Sequence, residues 1–157
     1  MRCNIPVMNE NAMRRSLRQR AIRLLARREH TRAELAGKLA AHGTAEEIAS
    51  VLAELARAGL QSDARFAESY VRSHAARLGA ARLSRTLRTK GVDVALIESQ
   101  LKNTELPDEM ARALIVWTKK FSAPAADARE WAKQARFLQG RGFSSETIGK
   151  LLKEIKA

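Results

Sequence analysis

The chain has 157 residues, of which 45% are hydrophobic, 29% charged and 4% aromatic, with a formal net charge of +12. A charge of this size predicts a polyanionic partner or an acidic protein surface but leaves the fold open. No apolar stretch approaches the roughly 20 residues of a membrane-spanning helix, and the first residues lack the apolar core of a signal peptide. Cys3 is the only cysteine, which excludes an intrachain disulfide and favours a cytoplasmic protein.

The residue types favour an all-α protein, because Ala, Leu, Arg, Glu and Lys dominate and no run of alternating apolar and polar residues predicts a strand. Residues 1–13 match no helical pattern, and we expect a disordered segment there. Beyond them, helical apolar stripes begin each of three segments. The stripes are Leu17, Ala21, Leu24 and Leu25, then Phe66, Tyr70 and Val71, then Met110, Leu114 and Trp117.

The same order of signals recurs at intervals of about fifty residues, which indicates an internal repeat. In each repeat a glycine follows a leucine by four residues, and a polar residue that can cap a helix comes next. The glycines are Gly43, Gly91 and Gly142, and the capping residues are Thr44, Asp93 and Ser144. We expect each glycine to end a helix in the left-handed conformation and each polar residue to begin the next helix. Thr31 and Glu34 match a further capping box.

This pattern predicts nine helices in three tandem three-helix repeats, at residues 14–60, 61–104 and 105–157. We expect the repeats to form an elongated array, either curved or straight. The third repeat departs from the plan: Gln134 stands in place of a leucine, so Ala135, Phe137 and Leu138 are expected to form the apolar face. The tryptophans, Trp117 and Trp131, are expected to pack in the core.

No group of residues predicts catalysis. His30, His42 and His74 have no partner at metal-ligand spacing, and the neighbouring carboxylates fall in first turns of helices, where they complement the helix dipole. The glycines at 140–142 lack the lysine and the preceding strand of a phosphate-binding loop. We therefore expect a protein that is not an enzyme and that uses no cofactor or metal.

Residues 73–91 form a basic stretch without an acidic residue, in which Leu83 and Leu87 define one face of a helix. Its cations are Arg77, Arg82, Arg85, Arg88 and Lys90. The stretch has no Asn or Gln to read adenine, so contact with phosphates or with an acidic protein suits it better than reading of bases. First and middle helices carry most of the positive charge, which could form a band along the array.

Four segments in this order resemble the RecX family of regulatory proteins: residues 21–39 (AIRLLARREHTRAELAGKL), 60–73 (LQSDARFAESYVRS), 87–92 (LRTKGV) and 137–155 (FLQGRGFSSETIGKLLKEI). The resemblance implies three tandem three-helix repeats and a non-enzymatic, monomeric modulator of the RecA recombinase. Such a protein binds RecA and the groove of the RecA–single-stranded DNA filament and limits filament extension. Recombinase, ATPase and SOS co-protease activities then fall, which affects homologous recombination and DNA repair. Weaker direct affinity for DNA is also implied.

Candidate contact residues for RecA or DNA are basic residues of the motifs and of the predicted helical surfaces. They are Arg65, Arg77, Arg82, Arg85, Arg88, Lys90, Lys119, Lys120 and Arg141. Other motif residues are expected to be structural: Asp63 as a helix cap, Phe66, Tyr70 and Phe143 in packing, and Gly43, Gly91 and Gly142 at helix ends. The alternative function is a general nucleic-acid-binding helical protein that acts through phosphate contacts.

Overall fold

The computed structural model describes residues 9–157, so Cys3, Met8 and the rest of the predicted disordered segment up to residue 8 lie outside the described residues. Over this range the chain forms nine α-helices and no strand, which confirms the all-α prediction. The helices are α1 (Glu10–Leu25), α2 (Arg32–Leu39), α3 (Ala45–Arg57), α4 (Asp63–His74), α5 (Ala80–Thr89), α6 (Val94–Asn103), α7 (Glu109–Lys120), α8 (Ala128–Gly140) and α9 (Ser145–Lys156).

The first helix begins earlier than predicted. Asn9 is its N-cap, where the side chain accepts a hydrogen bond of 3.3 Å from the backbone N–H of Asn11, and Glu10 occupies the first turn. Both residues stabilise a helix N-terminus. Residues 10–13 are therefore helical rather than disordered, and Met13 packs against the core.

The chain divides into two compact units, with the boundary after Phe66, inside α4. In the first unit, helices α1–α3 enclose one apolar cluster. Its buried members are Leu17, Ala21, Leu35, Leu39, Ile48, Val51, Leu52 and Leu55. The predicted stripe of α1 is thus buried at Leu17 and Ala21, whereas Leu24 and Leu25 are only partly buried.

The second unit contains the rest of α4 and helices α5–α9. Helices α7–α9 enclose a cluster whose buried members are Ala113, Val116, Trp117, Leu138, Phe143, Ile148, Leu151 and Leu152. Leu83 and Leu87 of α5 are also fully buried. The predicted stripe of α7 is wrong at Leu114, which is 41% exposed, because Ala113 and Val116 face the core instead.

The helix caps predicted at Thr31, Thr44, Asp93 and Ser144 are confirmed. The hydroxyl of Thr31 accepts a hydrogen bond of 3.0 Å from the N–H of Glu34, and the Glu34 carboxylate accepts one from the N–H of Thr31, which completes a capping box. Thr44 forms the same capping box at the start of α3. The side chains of Asp93 and Ser144 cap α6 and α9 by accepting a hydrogen bond from the N–H of Ala95 and of Thr147. Each cap satisfies N–H groups that have no partner inside the helix.

The predicted glycine conformations hold for two of the three positions. Gly91 and Gly142 have positive φ angles of 82° and 89°, as expected for residues that end a helix. Gly43 is not among the positive-φ residues, so that prediction is wrong. Position 43 needs glycine because space is short there: a Cβ at this position would lie 2.8 Å from Cδ1 of Leu17. Gly59, which the sequence pattern missed, has a positive φ of 71° after α3.

The predicted apolar face of α8 is wrong at Gln134, which is only 5% exposed. The indole N–H of Trp117 donates a hydrogen bond of 2.8 Å to Oε1 of Gln134, and Nε2 of Gln134 donates one of 3.2 Å to the carbonyl of Ala123. Gln134 thus occupies the inward position itself, and its amide is satisfied there. Trp131 is 40% exposed, so the expectation that it packs in the core is also wrong.

Candidate functional site

Helix α5 carries the central part of the basic stretch and has the amphipathic form that the sequence predicts. Leu83 and Leu87 are fully buried on one face. The arginines on the other faces, Arg82, Arg85 and Arg88, are exposed. Arg85 and Arg88 make no ion pair or side-chain hydrogen bond with residues 9–157, so their guanidinium groups have no partner in the described chain. The helix can therefore present cations while its leucines hold it in place.

The N-terminus of α5 packs directly against the turn between α8 and α9. The N–H of Gly79 donates a hydrogen bond of 2.8 Å to the carbonyl of Arg141, and the N–H of Ala81 donates one of 3.3 Å to the carbonyl of Gly142. Gly79 has no side chain to cap α5, so carbonyl groups of this turn satisfy the first N–H groups of the helix. Because the two backbone segments lie so close together, the residues at positions 79 and 142 must both be glycine.

This contact brings Arg82 and Arg141, which are far apart in the sequence, into the same region of the second unit. Nη1 of Arg82 donates a long hydrogen bond of 3.4 Å to the carbonyl of Gly140. The guanidinium of Arg141 lies 5.3 Å from the centre of the Phe137 ring, a cation–π geometry. Both side chains remain exposed.

The remaining basic candidates lie at helix ends. Arg77 is exposed in the turn between α4 and α5, and Lys119 and Lys120 are exposed in the last turn of α7. Lys90 follows α5 and is half-buried. Cations in a last turn also complement the helix dipole, so placement alone does not assign them to a partner.

Arg65 differs from the other candidates because its side chain is already engaged. Nε donates a hydrogen bond of 2.8 Å to the carboxylate of Glu29, and Nη1 donates one of 2.9 Å to the carbonyl of Gly59. The arginine thereby holds the turn after α3 against the end of the α1–α2 connection. This internal role accounts for its place in the motif.

Asp63 does not cap α4, so that prediction is wrong. The helix begins at Asp63, and the preceding Ser62 accepts the capping hydrogen bond of 3.2 Å from the N–H of Arg65. Oδ1 of Asp63 instead accepts hydrogen bonds of 2.8 Å from the N–H of Arg32, at the start of α2, and from Nε2 of Gln61. The carboxylate therefore joins the starts of α2 and α4.

The aromatic motif residues pack as expected. Phe66 and Phe143 are buried, and the half-buried ring of Tyr70 stacks on His74 with ring centres 4.0 Å apart.

Burial lowers the pKa of His30 below its ordinary value, and the nearby cation Arg28 acts in the same direction. His30 is therefore neutral at pH 7. Among residues 9–157, no group of three His, Cys, Asp or Glu side chains could hold a metal ion.

Arg112 is a buried residue that the sequence analysis missed. It is 5% exposed, and its guanidinium donates hydrogen bonds to three carbonyl groups: Pro107 at 3.0 Å, Ala75 at 2.8 Å and Leu78 at 2.9 Å. It fastens the start of α7 to the end of α4 and to the turn that leads into α5. A carbonyl partner leaves no signal in a sequence, so only the structure could find it.

Comparison with known proteins agrees with the prediction of three tandem three-helix repeats. Models of the first, second and third three-helix domains of RecX match residues 18–55, 62–101 and 107–152. Within residues 9–157, no helix is both long and apolar enough to cross a membrane.

Individual relatives match over most of their length. A regulatory protein RecX of Leptothrix cholodnii is 43% identical over 147 residues, which cover 93% of each chain. One of Chromohalobacter salexigens is 47% identical over 133 residues, covering 83% of this chain and 87% of the relative. The crystal structure of RecX from Lactobacillus salivarius superposes with a TM-score of 0.77 at 21% identity, covering 93% of this chain and 98% of that one, which supports the fold. The chain belongs to the RecX family of regulatory proteins.

Proposed function

We propose that this protein is a negative regulator of the RecA recombinase. It binds the groove of the RecA–single-stranded DNA filament, limits filament extension, and so lowers recombinase, ATPase and SOS co-protease activities. It acts in the cytoplasm as a monomer and by binding, not by catalysis. Membership of the RecX family, shown by matches to all three of its domain models, is the observation that carries this proposal.

The exposed face of α5 supplies the surface that we assign to filament binding. Arg82, Arg85 and Arg88 project from a helix that Leu83 and Leu87 anchor. The planar guanidinium group loses little side-chain entropy for each hydrogen bond that it forms, and it can bind carboxylates or phosphates in a bidentate manner. Arg141, which the contact between Gly79 and the α8–α9 turn brings nearby, extends this surface.

The test of the proposal is the ATPase activity of RecA on single-stranded DNA. We expect this protein to lower the ATPase rate at less than one molecule per RecA, because a bound molecule that stops extension affects many later subunits. An ATPase rate that stays unchanged at equimolar protein would remove the proposal.

General binding to nucleic acid through phosphates is a second candidate, favoured by the net charge of +12. Such binding weakens steeply as salt rises, because each neutralised phosphate releases counterions. The two functions separate when RecA inhibition is measured at a salt concentration that abolishes direct DNA binding. If RecA inhibition persists at that salt concentration, phosphate contact alone does not explain the inhibition.

The α5 surface is tested by replacing Arg82, Arg85 and Arg88 together with Ala. We expect the inhibitor concentration for half-maximal ATPase loss to rise about tenfold. Exposed ion pairs contribute about 0.5 kcal/mol each, so three lost pairs amount to about 1.5 kcal/mol, and 1.4 kcal/mol corresponds to tenfold. A control with the same change of charge replaces Lys150, Lys153 and Lys156 of α9, which are also exposed. Equal effects of the two variants would show that only total charge matters and that α5 has no special role.

A further inference from the structure

A groove of about 610 Å³ lies in the first unit, between the last part of α1 and the end of α2. We name it the α1–α2 groove. Its cationic lining residues are Arg20, Arg23, Arg27 and Lys38. His42 also lines it, and Leu24 and Leu39 form part of its apolar lining. The volume falls in the range of ligand-binding clefts, about 300–1,000 Å³. None of its lining residues is among the candidate contacts discussed above.

The charge in this groove is not balanced by the protein. None of the lining residues is an Asp or a Glu. The carboxylates of the first unit are largely engaged elsewhere: Glu29 binds Arg65, and Glu54 binds Arg14. Glu34 and Glu47 complete capping boxes. Within residues 9–157, Arg20, Arg23, Arg27 and Lys38 make no ion pair and no side-chain hydrogen bond.

The helix dipole accounts for only part of this arrangement. Arg23 and Lys38 lie in last turns, where a cation stabilises the partial negative charge of the helix end. Arg20 lies a turn earlier and Arg27 lies beyond the end of α1, and one half-charge at a helix end does not balance several full positive charges. The surplus positive charge favours an anion that carries more than one charge.

The lining distinguishes among such anions. It contains no Phe, Tyr or Trp, so bases would have no aromatic ring on which to stack. Several arginines along one wall suit a row of phosphates instead, since arginine binds phosphate oxygens in a bidentate manner. We propose that the α1–α2 groove binds the phosphate backbone of nucleic acid, independently of base sequence.

This proposal deepens the second candidate function, general binding to nucleic acid through phosphates, and rests on it. The experiment measures binding of a labelled oligothymidine by fluorescence anisotropy over a series of KCl concentrations. The variant replaces Arg20, Arg23 and Arg27 with Gln. We expect weaker binding and a slope of log affinity against log salt that is shallower by about 2, because each lost phosphate contact reduces the slope for a single strand by about 0.7.

The matched control replaces Arg15, Arg18 and Arg57 with Gln. These residues are exposed on α1 and α3, make no ion pair within residues 9–157 and do not line the groove. The control should keep the wild-type slope, and thermal unfolding of both variants checks the fold. If the groove variant is unfolded, Lys38→Gln alone should reduce the slope by about 0.7. Equal slopes for the wild type and the groove variant, or equal reductions in both triple variants, would overturn the proposal.

Two further probes distinguish other anions. ATP tests a free nucleotide, and a poly-glutamate peptide tests an acidic protein. Loss of binding to either probe in the groove variant, with an unchanged oligothymidine slope, would assign the groove to that ligand and overturn the nucleic-acid proposal. The wild-type RecA ATPase assay is separate: RecA inhibition that persists alongside an unchanged slope removes the groove proposal and leaves RecA regulation standing.

Discussion

Arg112 illustrates how a single charged residue can be structural without a buried ion pair. Burial lowers the pKa of its guanidinium, and the nearby carboxylates Glu109 and Asp108 oppose this shift. The guanidinium group nevertheless stays protonated at neutral pH, because arginine is not deprotonated in proteins. Its charge is compensated by three backbone carbonyls, two of which belong to residues more than thirty positions away in the chain.

The substitution Arg112→Met tests this role. It keeps an unbranched apolar side chain and removes the hydrogen bonds, leaving the carbonyls of Ala75 and Leu78 without their donor. We expect the free energy of unfolding to fall by about 1.5–3 kcal/mol, the usual range for hydrogen bonds that involve a charged group. Urea denaturation measures it. The control Arg129→Met, at an exposed site of α8, should change stability by less than about 0.5 kcal/mol. Equal stabilities of the two variants would contradict the role assigned to Arg112.

Residues of one type can serve different purposes at equivalent positions, which limits what their spacing can predict. Gly91 and Gly142 need a positive φ, whereas Gly43 needs only room for the side chain of Leu17. Gln134 stands in a leucine register and is buried like a leucine, because Trp117 supplies a hydrogen-bond donor from another helix. The sequence shows the position of such residues but not the partner that decides their role.

At the scale of helices, the starts of α2, α3, α6 and α9 were predictable, whereas packing partners were not. Thr31, Thr44, Asp93 and Ser144 cap their helices through contacts two or three residues away, and local contacts leave a local signal. The docking of α5 on the α8–α9 turn joins residues about sixty positions apart, mainly through backbone groups. For the same reason, the basic face of α5 could be predicted, but the proximity of Arg141 could not.

The substitution Gly79→Ala tests the contact between α5 and the α8–α9 turn. A Cβ at position 79 would overlap the carbonyl of Gly142, which is backbone and cannot rotate away. Since the φ of Gly79 is −78°, alanine is not strained by conformation, and only the overlap opposes it. We expect a loss of stability of about 1–3 kcal/mol, as for overpacked sites.

The matched control for this substitution is Gly149→Ala. Gly149 lies inside α9, and a Cβ there would meet no atom within 4 Å. Alanine should therefore stabilise the protein by about 0.5–1 kcal/mol through its higher helix propensity. If the contact between α5 and the α8–α9 turn is as tight as described, thermal or urea unfolding shows a loss of stability for Gly79→Ala and a gain for Gly149→Ala. A stabilised Gly79→Ala variant would show that the turn can move away from α5 without cost.

At the scale of the whole molecule, the repeated pattern of leucine, glycine and capping residue predicted three helical modules, and the three family models match in the same order. The charge excess is also a property of the whole chain, with 29 Lys and Arg against 17 Asp and Glu. It favours association with polyanions, and it also opposes folding through repulsion among like charges.

These two effects of charge predict opposite responses to salt. Between 0.1 and 1 M KCl the Debye length falls from about 10 Å to about 3 Å, so repulsion within the folded chain weakens and the Tm should rise. Affinity for oligothymidine should fall over the same range. Replacing Arg20, Arg23 and Arg27 with Gln removes three positive charges, so the rise in Tm should be smaller in that variant. Calorimetry of both proteins in KCl measures it. A Tm that falls with salt would instead mean that ion pairs such as Arg65–Glu29 outweigh the repulsion among the surplus cations.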